Sequence, residues 1–168
     1  MNKPKRIFIV GHSGAGKALL SEALAKKLGW KFVDANPGIE RYIGRNLNEI
    51  FGKQGEEAFH RCEAEIISHY MSQDNVVVLL EEAVIATEEN RKLLSSEFVV
   101  YLKVSTEVQL ERWATGKGRE PLLPIADKKA YLDKQHRERD HFFEEVATLS
   151  IDSTGVEGNV DEIVKSFA

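Results

Sequence analysis

Short apolar runs rich in Val and Ile recur at Arg6–Val10, Lys31–Asp34, Val76–Leu80, Phe98–Val104 and Thr148–Ile151, and stretches with helical spacing separate them. The first, RIFIV, has the near-continuous apolar character of a strand buried on both faces. Strong helix formers fill Lys17 to Leu28, with Leu20, Leu24 and Leu28 on one face and Gly29 placed to end the helix. Thr87 and Ser105/Thr106 open helices after two later strands, and Asn36-Pro37 reads as an N-cap followed by a first-turn proline. Strands alternating with helices predict an α/β fold, a parallel sheet with helices on both faces. No repeat, low-complexity tract or linker interrupts the pattern, so residues 1–168 read as a single domain.

Between the first strand and the first helix lies Gly11-His-Ser-Gly-Ala-Gly-Lys17-Ala18. This matches the phosphate-binding P-loop, G-x-x-x-x-G-K-[ST], at every position but the last. Gly11, Gly14 and Gly16 let the backbone N–H groups of the loop, Ser13 and Ala15 among them, turn inward on a phosphate, and Lys17 reaches the outer phosphates. Strand, loop and helix are in the order such a cradle requires, with the helix N-terminus adding partial positive charge. The final hydroxyl of the pattern normally holds the Mg²⁺ of the nucleotide, and Ala18 has none. The loop therefore predicts ATP or ADP binding with a weakened Mg²⁺ site.

Two stretches break the strand–helix alternation. Residues 36–73 hold about two helical segments, split near Gly52–Gly55, an insertion of the kind that builds an acceptor site in small kinases. Residues 115–124 (TGKGREPLLP) are charged and bear Gly and Pro, the composition of a mobile lid over the nucleotide or of an ordinary surface connection.

Composition narrows the partners. A net charge of −4 gives no broad footprint for nucleic acid. No apolar run approaches the ~20 residues needed to cross a bilayer, and nothing resembles a signal peptide. The lone Cys62 has no internal disulfide partner; at helical spacing with Phe59, Ile66 and Tyr70 it reads as a buried structural thiol. A cytoplasmic protein follows. The oligomeric state is open, with a monomer the expectation.

The P-loop, the insertion and the lid-like segment together resemble the shikimate kinase family nearly end to end. The resemblance also includes Phe32-Val-Asp34, Ile39-Glu40, Gly55-Glu-Glu-Ala-Phe59, Pro121-Leu-Leu123, Arg139 and Phe143-Glu-Glu-Val-Ala147. It implies a three-layer α/β/α P-loop kinase fold with a five-stranded parallel sheet, and transfer of the ATP γ-phosphoryl group to a hydroxyl of shikimate. By resemblance, Asp34 helps hold Mg²⁺, Arg112 stacks on adenine, Arg119 of the lid swings over the phosphates, and Arg139 takes the acceptor carboxylate. Arg139 also shares a helical stripe with Leu132 and Val146, where a charge needs an internal carboxylate or a bound anion as partner.

Several positions depart from the family. Asn36 stands where the family has the Asp that assists deprotonation of the acceptor hydroxyl, and loss of a general base costs about 10²–10⁴ in rate. Phe59-His60 replaces Phe-Arg, with Arg61 one residue later and so rotated by about 100° around the helix. His60 reads as a hydrogen-bond donor to the acceptor or as a plain solvated side chain. Three glycines after the third strand become Glu81-Glu82-Ala83, placing two carboxylates where two anionic substrates would meet. Glu81 or Glu82 reads either as a metal-organising acid replacing the ligand lost at Ala18 or as a polar strand end facing water.

Three readings remain: a working kinase on shikimate or another small hydroxy acid, a relative that keeps nucleotide and has lost transfer, and a protein that binds no nucleotide. The spared Gly11, Gly14, Gly16 and Lys17 favour the second.

Overall fold

A computed structural model of the chain describes residues 3–35, 47–116 and 125–167, with 47–56 and Phe59 described by backbone alone. Five strands, β1 (Arg6–Val10), β2 (Lys31–Asp34), β3 (Val76–Leu79), β4 (Val99–Lys103) and β5 (Leu149–Asp152), form one sheet ordered β2-β3-β1-β4-β5. Every neighbouring pair is parallel. The helices are α1 (Lys17–Leu28), α2 (Leu47–Met71), α3 (Glu88–Ser95), α4 (Thr106–Ala114), α5 (Lys128–Val146) and α6 (Val156–Ser166), with a 3₁₀ turn at Glu82–Ala86 directly after β3. The apolar runs lie within a residue of the observed strands.

Alternation along each strand sends side chains to opposite faces, and both faces are covered. Ile7, Ile9, Val77, Val100, Leu102 and Ile151 meet Leu20 and Leu24 of α1 and Val160 and Ile163 of α6. Phe8, Val10, Val78, Val99 and Tyr101 meet Ile67 of α2, Leu94 of α3 and Phe143 and Val146 of α5. The result is the expected three-layer α/β/α arrangement. Gly29 closes α1 with φ 70°, its N–H donating to the Ala25 and Lys26 carbonyls. Ser105 caps α4 by accepting from Val108 N at 3.2 Å. Thr87 occupies the cap position of α3, but its side chain makes no capping bond.

Two expectations are corrected in the insertion. From Leu47 to Met71 the chain is one helix of 25 residues, without a break at Gly52–Gly55. A glycine costs an exposed helix only about 1 kcal/mol relative to alanine, and no proline follows to stop this one. Cys62 is exposed rather than buried. The buried stripe of α2 runs through Glu63, Ala64 and Ile67, one helical step of about 100° away from the stripe through Cys62.

Parallel strands put all their carboxyl ends on one edge, where ligands of open α/β sheets bind. That edge carries the Gly11–Lys17 loop after β1, Asp34 at the end of β2, Glu81 and Glu82 after β3, Ser105 after β4 and Ser153 after β5. Gly11 is fixed by this packing as well as by any ligand. It has φ +150°, and a Cβ there would sit 2.6 Å from the Leu102 carbonyl oxygen of β4. Backbone strain of about 1–3 kcal/mol and overpacking of similar size both apply to a substitution there. Gly11→Ala is expected to lower unfolding free energy by about 2–4 kcal/mol in urea denaturation without ligand. A loss below about 0.5 kcal/mol, the surface-substitution level, would show that Gly11 is not held by β4.

Candidate functional site

The phosphate loop is held from outside by its carbonyls. Gln109 Nε2 of α4 donates to Ser13 O at 2.6 Å, and Ser153 Oγ donates to Ala15 O at 2.7 Å. Arg112 donates through Nη1 to Gly14 O and through Nη2 to Ser153 Oγ at 3.2 Å. Of the loop N–H groups, Ser13 N donates to Glu82 Oε2 and Ala15 N to the His12 carbonyl, each at 3.2 Å, so both are engaged without any phosphate. Gly14 and Gly16 take φ of 82° and 92°, the left-handed region that lets successive amides point one way. Lys17 is buried, and its Nζ donates to Gly11 O at 2.5 Å. Ala18 is exposed at the loop end and offers only a methyl group.

A cavity of about 390 Å³ opens beside the loop, lined by Gly14, Gly16, Leu19, Arg112, Ser153 and Val156 among others. Arg112 thus faces a space beside the phosphate loop, where the resemblance puts adenine, while bracing the loop itself. The β5–α6 connection, Ser153–Val156, is a wall of this cavity that sequence reasoning did not find. Its only signal there was its position after the last strand.

Glu82 lies over the mouth of the loop. Its Oε2 accepts from Ser13 N at 3.2 Å, and its Oε1 sits 3.1 Å from His12 Nδ1. Arg139 Nη1 approaches Oε1 to 3.2 Å, an ion pair whose alignment falls short of a hydrogen bond. Of the two partners open to Arg139, an internal carboxylate or a bound anion, Glu82 supplies the first. Burial would push the Glu82 carboxyl up, but the His12 hydrogen bond and the charges of Arg139, His12 and Lys17 outweigh it and hold the carboxyl far below its usual range. Glu81 and Glu82 are 3% and 4% exposed, which corrects the reading of a strand end facing water.

His12 belongs to a chain of polar contacts that sequence reasoning missed. Its Nε2 is 2.5 Å from Asp140 Oδ1, and Asp140 also takes His136 Nδ1 at 2.9 Å and the Tyr101 hydroxyl at 3.3 Å. Burial alone would lower the His12 pKa, but the Asp140 and Glu82 carboxylates raise it. Burial and Asp140 raise Tyr101, so its phenol keeps its proton. The signal in the sequence was slight: a histidine inside the P-loop, and a His and Asp one turn apart on α5.

The acceptor-side residues come together only in part. His60 Nδ1 pairs with Glu63 Oε1 at 2.7 Å, and its side chain is 19% exposed, so it is not plainly solvated. Burial raises the Glu63 carboxyl against the opposing pull of His60 and Arg139. Arg61 is exposed, and Asp34 is exposed at the strand end. Asn36 and Arg119, with most of the lid, lie outside the described residues, as does the Phe59 side chain.

Sequence and structure comparisons agree on a family. A family model described as shikimate kinase matches residues 13–168. The chain is 37% identical over 157 residues to a shikimate kinase of Francisella tularensis subsp. holarctica, covering 92% of this chain and 89% of the relative. It is 36% identical over the same length to that of Francisella philomiragia subsp. philomiragia. Among solved structures, the shikimate kinase from Acinetobacter baumannii in complex with shikimate superposes with a TM-score of 0.79 at 30% identity, covering 98% of this chain and 93% of that one. The enzyme from Bacteroides thetaiotaomicron gives 0.80 at 23% identity over 98% of both chains, a likeness of fold.

Breaking a buried pair by removing one partner costs about 3–5 kcal/mol, because the other charge stays buried alone. Glu82→Ala is expected to lose stability on that scale in urea denaturation, and Glu82→Gln, which can still accept from Ser13 N, to lose less. Equal stability of Glu82→Ala and wild type would mean that the carboxylate is not what holds His12 and Arg139.

Proposed function

The chain belongs to the shikimate kinase family, and on that premise we propose that it is a nucleotide-binding member with weak or absent shikimate phosphorylation. The nucleotide half fits the residues present. The left-handed Gly14 and Gly16, Lys17 and the cavity beside Arg112 supply a phosphate cradle and room for a base. The usual Mg²⁺ position does not fit, since Ala18 lacks the hydroxyl and Asp34 is the family position that remains. No step is routed through that metal.

The observation that carries the proposal is Glu82. Its carboxylate takes the Ser13 N–H at the loop mouth and the Arg139 guanidinium, the two groups that would receive a terminal phosphate and an acceptor carboxylate. An outer phosphate must compete with a built-in anion for the loop, and shikimate must compete with it for Arg139. The second carboxylate near Arg139, Glu63, deepens the competition. Asn36 adds to this, since an amide has no basic site for the hydroxyl proton.

A coupled ADP-release assay with shikimate tests this reading, run beside an ordinary family member. Turnover at least about 10²-fold below that reference is expected, on the scale of a lost general base. Ala18→Ser alone should restore little, because the acceptor side is altered too. Turnover near the reference would sink the proposal and favour a working kinase.

Titration calorimetry with ATP and ADP, each with and without Mg²⁺, separates grip from chemistry. Binding of both nucleotides that depends only weakly on Mg²⁺ is expected. Strong Mg²⁺ dependence would instead assign a metal role to Asp34 with Glu81 or Glu82.

A further inference from the structure

Asp140 stands between two imidazoles. Its Oδ1 lies 2.5 Å from His12 Nε2 and 2.9 Å from His136 Nδ1, and its Oδ2 lies 3.1 Å from the latter. The two rings pack against each other with centroids 4.0 Å apart and planes tilted by 40°. Each ring has its other nitrogen turned outward. His136 Nε2 faces Gln109 Oε1 at 2.8 Å, and His12 Nδ1 faces Glu82 Oε1 at 3.1 Å.

The outward partners assign the protons. Gln109 Nε2 donates to Ser13 O, so its amide orientation is set and Oε1 must be the atom facing His136. An amide oxygen only accepts, so His136 carries its proton on Nε2. Glu82 is an acceptor as well, held as an anion by Arg139 and the Ser13 N–H, so His12 carries its proton on Nδ1. A neutral imidazole has one N–H. With both rings neutral, the inner nitrogens, His12 Nε2 and His136 Nδ1, are lone pairs aimed at a third acceptor, the Asp140 carboxylate; with a further proton on an imidazole, that nitrogen donates to Asp140 instead. The positive charge that three converging acceptors require comes from an added proton or from a metal ion.

We propose that His12, His136 and Asp140 bind a borderline transition-metal cation, with Zn²⁺ the best fit. Two imidazoles and one carboxylate suit Zn²⁺ and disfavour Mg²⁺, which takes oxygen ligands and keeps its water. All three ligand atoms already lie within 4.8 Å of one another. Zinc bonds of about 2.0–2.2 Å in a tetrahedron put ligand atoms roughly 3.4 Å apart, so binding draws Asp140 back from both rings and sets the spacing of the two imidazoles. The Asp140 side chain is 47% exposed and free to move. Glu82 and Gln109 are the outer partners that metal-bound histidines regularly have, fixing tautomer and ring orientation. A cavity of about 440 Å³, lined by His136, Asp140, Tyr101 and Ser153, gives the ion an entry and room for a water as fourth ligand. The site needs no nucleotide, and it ties the phosphate loop to α5.

The test is Co²⁺ titration of the full chain without an affinity tag, stripped by chelator and free of nucleotide, followed by visible absorption and calorimetry. One Co²⁺ per chain with the intense absorption of a tetrahedral site is expected, displaced by Zn²⁺ and unaffected by excess Mg²⁺. His136→Ala and Asp140→Asn should each weaken binding by more than the about 10–100-fold typical of losing an outer partner, and Gln109→Ala by about that amount. Circular dichroism checks folding, and Asp140→Asn carries the test if His136→Ala does not fold. Absence of Co²⁺ binding would mean that protons fill the inner positions and would overturn the proposal. So would binding that survives both substitutions, since it would lie on other histidines.

Discussion

A carboxylate that is 4% exposed has to be matched atom by atom, and Glu82 dictates much of what surrounds it. One oxygen takes a loop N–H; the other takes His12 and Arg139. His12, thus engaged on one side, turns its other nitrogen to Asp140, which engages His136, which engages Gln109, which returns to the loop at Ser13. The polar interior of the site is therefore a closed circuit anchored on the phosphate loop. Substituting glycine at position 82 would remove the anchor from all of it at once. The carboxylate at this strand end is integrated into the site with its own partners.

The same circuit separates two halves that the family uses together. On the cavity side of the loop, Arg112 and Ser153 brace its backbone without blocking the space beside it. On the acceptor side, Arg139 is engaged by Glu82 and lies within electrostatic reach of Glu63, while Arg61 faces water. The bracing of the loop comes from α4 and the β5–α6 connection, and the pairing of Arg139 from the turn after β3.

Local chemistry was legible in the sequence and long-range pairing was not. The strands announced themselves because a strand covered on both faces must be apolar throughout, as RIFIV and VVVL are. The phosphate loop and Gly29 were legible because particular backbone conformations demand glycine. Spacing alone puts Cys62 on the wrong face, because α2 offers two apolar stripes one residue apart and only packing against the sheet chooses between them. The burial of Glu82 also escaped local reasoning, since two adjacent glutamates look like a solvated end. His12 meets Asp140 across 128 positions, a pairing that no periodicity encodes.

The outward bracing of the loop has a thermodynamic consequence. Fixing a backbone residue costs roughly 1–2 kcal/mol of conformational entropy, and a slack loop would incur that cost each time an anion arrived. Here Gln109, Arg112 and Ser153, from α4 and the β5–α6 connection, hold three successive carbonyls whether or not anything is bound. The ordering has already been met by folding. Anion capture can then occur with little backbone rearrangement.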